Sequence, residues 1–266
     1  MCMTTSQAAI TLLGSNIGAQ VSGVDLSREL SGAEKAFVHQ ALIDHHVLFF
    51  RDQSLEPVDI KRFAEGFGPL APHPRGGPDY PEVMPFRSKQ EPDFILGTEW
   101  HTDGSYSEHP PLGSMLYFRE APEAGAELAY ANMHAAFEAL SPQMTVYLKA
   151  LTATHDVSRS RFGSDRQVKT SWSHPLISSH AVTGRPLLYF NSVYTARIDG
   201  VPTPESRAII GFLREHVANP YFSVRIKVEP GSLVLWDNRC TQHLALWNFA
   251  PGSLAGLRTQ IESVTP

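Results

Sequence analysis

Cysteine is scarce: Cys2 and Cys240 are the only two in 266 residues. That leaves no disulfide framework and no cysteine-rich zinc site, and it fits a reducing compartment. Positive charge is also short, with 22 Lys and Arg against 27 Asp and Glu and a formal net charge of −5. No Lys/Arg cluster and no aromatic-basic interleaving occurs, so nucleic acid is not an expected partner. Long hydrophobic runs are missing: no stretch of about 18 apolar residues is present. Residues Met1 to Leu13 do not pair a basic region with a continuous apolar core, so neither a leader nor a membrane anchor is expected. Internal repeats and low-complexity segments are absent. The expectation is a soluble cytoplasmic protein forming a single domain over residues 1–266, with insertions around 69–95 and 158–173.

What is present reads as many short strands with helices set apart from them. Residues 17–26 suggest a strand pair with glycine turns. Ser31-Gly32-Ala33-Glu34 has the capping-box pattern, and Phe37, Ala41 and Leu42 give the helix that follows an apolar face to about Asp44. Val47 to Phe50 reads as a buried strand. A helix after Pro57 places Ile60, Phe63, Ala64 and Phe67 on one side before Gly68-Pro69. Seven prolines from Pro69 to Pro92 then forbid helix, apart from a strand at 83–86, and make a stiff candidate wall or lid. Strands are expected at 113–118, 176–180, 187–190, 222–228 and 233–236, and helices at 132–140, 142–151 and after Pro204. Arg159 to Arg166 is polar and basic. The fold class is mainly β with α: a jelly-roll core with flanking helices.

One stretch carries chemistry. In Gly97-Thr98-Glu99-Trp100-His101-Thr102-Asp103-Gly104-Ser105-Tyr106, an imidazole and a carboxylate stand two residues apart. In extended chain they would point to one face. Two histidines and one carboxylate make the facial triad that suits Fe(II) and leaves positions open. His243, at the end of Trp236-Asp237-Asn238-Arg239-Cys240-Thr241-Gln242-His243, could face the same cavity. Spacing alone does not select it from the other histidines.

Six ordered pieces resemble the taurine dioxygenase (TauD/TfdA) family of Fe(II)/2-oxoglutarate dioxygenases: Gly23-Val24-Asp25-Leu26, Phe49-Phe50-Arg51-Asp52-Gln53, Phe67-Gly68-Pro69-Leu70, Trp100-His101-Thr102-Asp103, Ala135-Ala136-Phe137-Glu138-Ala139-Leu140-Ser141, and Trp236 to His243. The resemblance implies a double-stranded β-helix with iron held by His101, Asp103 and His243. It also implies 2-oxoglutarate as the chelating co-substrate, ferryl hydrogen abstraction from a small organic molecule with O2, and a homodimer or higher homo-oligomer.

The chain departs from the family pattern at the co-substrate. The Thr and Arg that normally anchor the far carboxylate of 2-oxoglutarate align with Leu128 and Leu254. A carboxylate buried there without partners would cost several kcal/mol. Arg258, fifteen residues after His243, is open to three readings: it takes the 2-oxoglutarate tail through a shift of its strand, it holds an acid group of the substrate, or it is a surface residue. The alternatives are a 2-oxoglutarate-independent Fe(II)/O2 oxygenase whose substrate itself chelates the iron, for example a hydrophobic 2-oxo acid, and a non-catalytic small-molecule-binding homologue. By the same resemblance His73 and Tyr194 line the substrate pocket, while Glu99, in place of an amide, favours a cation or a hydrogen-bond donor. Trp100 and Trp236 flank the ligands, and Cys240 is expected to be buried and inert.

Overall fold

A computed structural model describes residues 7–88, 97, 99–159, 170–246 and 248–263. A seven-stranded sheet dominates. Its strands are β1 (Ala9–Leu12), β2 (Ala19–Ser22), β3 (Val47–Phe50), β4 (Met84–Arg87), β5 (Gly113–Glu120), β13 (Ser232–Asp237) and β15 (Ala255–Ile261), in the order β1-β2-β3-β13-β5-β15-β4. Only the β2–β3 pairing is parallel. Facing it is a three-stranded sheet, β12-β6-β14, built from β6 (Glu127–Asn132), β12 (Ser223–Lys227) and β14 (Thr241–Leu246). A second three-stranded sheet has the order β11-β7-β8, from β7 (Thr152–Asp156), β8 (Ser171–Pro175) and β11 (Thr195–Ile198), and a hairpin pairs β9 (Ile177–Ser179) with β10 (Pro186–Leu188). This is the mainly-β jelly-roll architecture expected from the sequence.

Strand periodicity explains how the large sheet is buried on both faces. Successive side chains alternate, so Leu48 and Phe50 of β3 and Leu233 and Leu235 of β13 pack toward the helices. Val47, Phe49, Val234 and Trp236 face the β12-β6-β14 sheet. The outer layer comes from α1 (Gly32–His45) and α2 (Pro57–Glu65), which bury Val38, Ala41, Leu42, Ile60, Phe63 and Ala64 in the first cluster. The Ser31/Glu34 capping box forms as expected, and α1 ends at His46, whose φ of 66° is left-handed. A third cluster packs α3 (Met133–Glu138), α4 (Pro142–Lys149) and α5 (Thr203–Val217) with the β9-β10 hairpin. Ser141 caps α4, as its position before Pro142 suggests.

Two expectations are corrected. Residues 17–26 hold one strand, β2 (Ala19–Ser22), whose antiparallel partner is β1 and not a second strand within the segment. The strand expected at 83–86 forms as β4, at Met84–Arg87. Strands β6, β7, β8, β11, β14 and β15 appear where none was expected, because they are short or mix polar with apolar residues and are defined by their partners. The basic stretch from Arg159 lies, from residue 160 to 166, outside the described residues, as does the end of the proline-rich connection from 89.

Gly256 deserves its residue type for a steric reason. It sits at the register shift between β15 and β5, and a Cβ there would lie 1.8 Å from the Tyr117 carbonyl oxygen. Only glycine allows the close approach, and it sets the course of the strand that carries Arg258.

Candidate metal centre

The loop before β5 is stitched onto β14. Ala245 N–H donates to the Gly97 carbonyl (2.7 Å), His101 N–H to the His243 carbonyl (3.1 Å) and His243 N–H to the His101 carbonyl (2.9 Å). His101 and His243 are therefore antiparallel bridge partners, and cross-strand partners put their side chains on one face. Their ring centroids are 4.1 Å apart. Beyond His101 the chain turns. Thr102 Oγ1 donates to the Thr241 carbonyl at 3.1 Å. Asn238 clamps the next residue at both ends, accepting from Asp103 N–H and donating to the Asp103 carbonyl, each at 2.9 Å. A second donation from Asn238 reaches the Pro111 carbonyl at 3.0 Å.

The clamp aims Asp103 at the two rings. Its Oδ1 lies 4.0 Å from His101 Nε2 and 3.8 Å from His243 Nε2. A cation with bonds of about 2.0–2.2 Å to neighbouring donors would hold them about 3–3.6 Å apart, so these three donor atoms, within 4.8 Å of one another, stand slightly outside the span that a bound cation would draw in. The other carboxylate oxygen is occupied: Oδ2 accepts from Ser114 Oγ at 2.9 Å and from Arg258 Nη2 at 2.5 Å. His101 Nδ1 faces the Glu99 carbonyl at 2.8 Å. Donation from Nδ1 fixes the tautomer that leaves Nε2 a lone pair.

Electrostatics suit the same task. Burial pushes the imidazoles of both histidines below their ordinary range, His243 furthest, so both are neutral at neutral pH. Burial would raise Asp103, but the Arg258 guanidinium, the two imidazoles and the Ser114 hydroxyl outweigh it and hold the carboxyl well below the carboxylate range. Two neutral nitrogens and one anionic oxygen, all deprotonated, form a donor set for a divalent first-row cation. His243 Nδ1 is buried without a hydrogen-bond partner, as are Tyr130 Oη and Trp236 Nε1. Both aromatic rings pack on His243, with centroids at 6.0 and 4.8 Å.

The remaining candidates fall around this centre in different ways. Arg258 is not a surface residue: its side chain is 25% exposed and engaged with Asp103. Leu128, on β6, and Leu254, just before β15, are buried in one apolar cluster with Tyr130, Trp236, Ala126 and Phe118. That cluster abuts His243 through the two aromatic rings, and neither leucine can offer charge or a hydrogen bond to a carboxylate. Tyr194 is buried and packs edge-on against Tyr106 at 5.0 Å, beside the turn that follows Asp103. His73 is half-buried in the proline-rich connection, where its Nδ1 accepts from Arg75 N–H at 3.1 Å. The Glu99 side chain is exposed, and what Glu99 brings to the centre is its carbonyl. Nothing in the local sequence marks Asn238 or Ser114 as a partner of Asp103. A polar residue inside an apolar strand was the available signal for Ser114.

Residues 9–259 match the family described as taurine catabolism dioxygenase TauD, TfdA family. The chain belongs to this family. It is by class a non-haem iron dioxygenase, an oxidoreductase. An alkylsulfatase of Acinetobacter baylyi is 30% identical over 91% of this chain and 81% of its own length. The crystal structure of a taurine dioxygenase from Burkholderia xenovorans superposes with a TM-score of 0.86 at 31% identity, covering 98% of this chain and 91% of that one. The crystal structure of AAD-2 in complex with Mn(II) and N-oxalylglycine gives a TM-score of 0.85 at 26% identity, over 98% of this chain and 99% of that one. Among the described residues of this family member, no helix is long and apolar enough to cross a membrane.

Proposed function

We propose that the protein is a mononuclear Fe(II) dioxygenase that oxidises a small organic molecule with O2 and a 2-oxo acid, with iron held by His101, Asp103 and His243. The observation that carries this reading is the convergence of the three donors, already deprotonated, with the second Asp103 oxygen tied up by Arg258 and Ser114. With Oδ2 tied up, Asp103 would offer a bound cation a single oxygen, which would leave positions open for O2 and a chelating acid. Bound iron and the chelating acid together supply O2 activation, coupling decarboxylation of the acid to oxidation of a substrate C–H bond. The chain's own residues orient and enclose. Asn238 fixes the Asp103 backbone, the Glu99 carbonyl fixes His101, and Tyr130 and Trp236 wall one side of His243.

Relatives support 2-oxoglutarate as the acid: a sulfate ester dioxygenase of Pseudomonas putida, 31% identical, is named as dependent on it. N-oxalylglycine, bound in AAD-2, has the same two end carboxylates. The buried pair Leu128 and Leu254 favours a second reading, in which the acid has an apolar side chain and serves as co-substrate or as the substrate itself. A far carboxylate against two leucines would lose its hydration without a compensating partner. Arg258 gives Nη2 to Asp103, and any carboxylate it served would have to be reached by the other N–H groups of the guanidinium.

The two readings separate by spectroscopy. Anaerobic Fe(II) protein is mixed in turn with 2-oxoglutarate and with 4-methyl-2-oxopentanoate, and the visible charge-transfer band of the chelate is recorded. A saturable band at low 2-oxoglutarate concentration, with one succinate formed per product, establishes the first reading. A band given only by the apolar acid establishes the second. Failure to bind Fe(II) at all would leave a non-catalytic homologue.

A further inference from the structure

A second cluster of donor atoms lies away from the iron triad, where α1, α3 and the turn between β13 and β14 meet. His46, His134 and Cys240 are 5%, 1% and 0% exposed, and one donor atom from each lies within 4.8 Å of the other two. Cys240 Sγ is 3.6 Å from His46 Nδ1. Bonds of about 2.3 Å to sulfur and 2.0–2.1 Å to nitrogen at a tetrahedral angle put those atoms about 3.5 Å apart. His134 Nδ1 is 2.7 Å from the Pro186 carbonyl. With that nitrogen donating, Nε2 carries the lone pair, the usual second-sphere arrangement of a ligating histidine.

The framework around the cluster is fixed. His180 Nε2 donates to Asp237 Oδ2 at 3.0 Å, and Arg239 donates to both oxygens of the same carboxylate at 2.9 and 2.6 Å. The other His180 nitrogen faces the Val182 and Thr183 N–H groups at 3.4 and 3.3 Å. Every donor in the His180–Asp237 pair is therefore occupied, and this pair positions the turn without being a site. Asp237 N–H donates to the His46 carbonyl at 2.8 Å and Thr241 Oγ1 to the Asp237 carbonyl at 2.7 Å, so the backbones carrying His46 and Cys240 are joined.

We propose that His46, His134 and Cys240 form a second metal site, taking one borderline-soft divalent cation of the zinc class. A sulfur ligand separates it chemically from the nitrogen-and-oxygen triad, because thiolate selects softer cations than carboxylate does. Binding breaks the Cys240 S–H bond, forms a metal–thiolate bond and releases the proton to solvent. The cation would join the C-terminus of α1, the start of α3 and the turn that leads to His243. This inference does not depend on which 2-oxo acid the enzyme uses.

Cobalt(II) is the probe, since thiolate coordination gives a near-ultraviolet charge-transfer band that nitrogen and oxygen ligands do not. Metal-free full-length protein in a Cys2→Ser background is titrated with Co(II), following the band and the bound metal after gel filtration. The expected result is a sulfur band saturating at one equivalent, with two equivalents bound in all. Cys240→Ser and His46→Asn should each lose the band and drop to one equivalent. Asparagine tolerates the left-handed backbone at 46, so that variant tests the site with the thiol in place. Asp103→Ala should keep the band. If it also kept two equivalents, the triad assignment would fail while the second site stood. No sulfur band in the folded protein, or a band that survives in both Cys240→Ser and His46→Asn, overturns the proposal.

Discussion

At the scale of single residues, the centre depends on groups that do not themselves face the metal position. Asn238 makes three hydrogen bonds, of which the two to the backbone of Asp103 are buried. Asn238→Ala leaves the Asp103 N–H and two carbonyls without partners. The expected outcome is a 10–100-fold loss of metal affinity and destabilisation of about 1–3 kcal/mol. Equilibrium dialysis with Mn(II) and urea unfolding would measure the two effects. An unchanged Mn(II) affinity would show that Thr102 and the bridge to β14 position Asp103 on their own.

Among the elements, β15 is the most exposed to a small change. It pairs with β5 on one side and β4 on the other and delivers Arg258 to Asp103. The Gly256 backbone is so close to Tyr117 that a methyl group cannot be added without moving a strand. Gly256→Ala is expected to cost about 1–3 kcal/mol, the range for overpacking a filled interior, and to lower the thermal midpoint. Gly211→Ala is the control, because a Cβ there meets nothing within 4 Å and the site is helical. It should be neutral or stabilising by about 0.4–1 kcal/mol. Equal melting shifts for the two variants would contradict the steric account.

At the scale of the whole molecule, buried neutral histidines govern acid stability. His155 is fully buried in a polar network with Ser105, Asn191 and Thr195 beneath the turn that follows Asp103. Burial, followed by repulsion from His174, lowers it to about 3. Its unfolded value is about 6.5, so below that pH the unfolded chain binds the proton and the folded chain does not. The contribution is fully present above pH 6.5 and is lost as pH falls toward 3, at about 1.4 kcal/mol per pH unit. Urea unfolding between pH 7 and 4.5 should show stability falling, and His155→Gln should flatten the profile. A profile of the same slope in the variant would place the linkage on other groups.

Local chemistry was enough to locate part of this protein. The capping box at Ser31 and Glu34, the alternating strand around Val224 and Ile226, the buried strands at Val47 and Leu233, and the two-residue spacing of His101 and Asp103 all rest on contacts or periodicities within a few residues. Tertiary structure decided the rest. Spacing does not single out His243, which only the family resemblance points to; the bridge that brings it to His101 joins segments more than a hundred residues apart, and the Asn238 and Arg258 bonds to Asp103 span 135 and 155 residues. Strands such as β7 and β14 carry Thr, His and Gln at positions that are buried only because a partner strand and a second layer cover them. Side-chain periodicity records which face of an element is apolar, but it carries no information about which distant face will meet it. A site assembled across the barrel is therefore settled only when the strands pair.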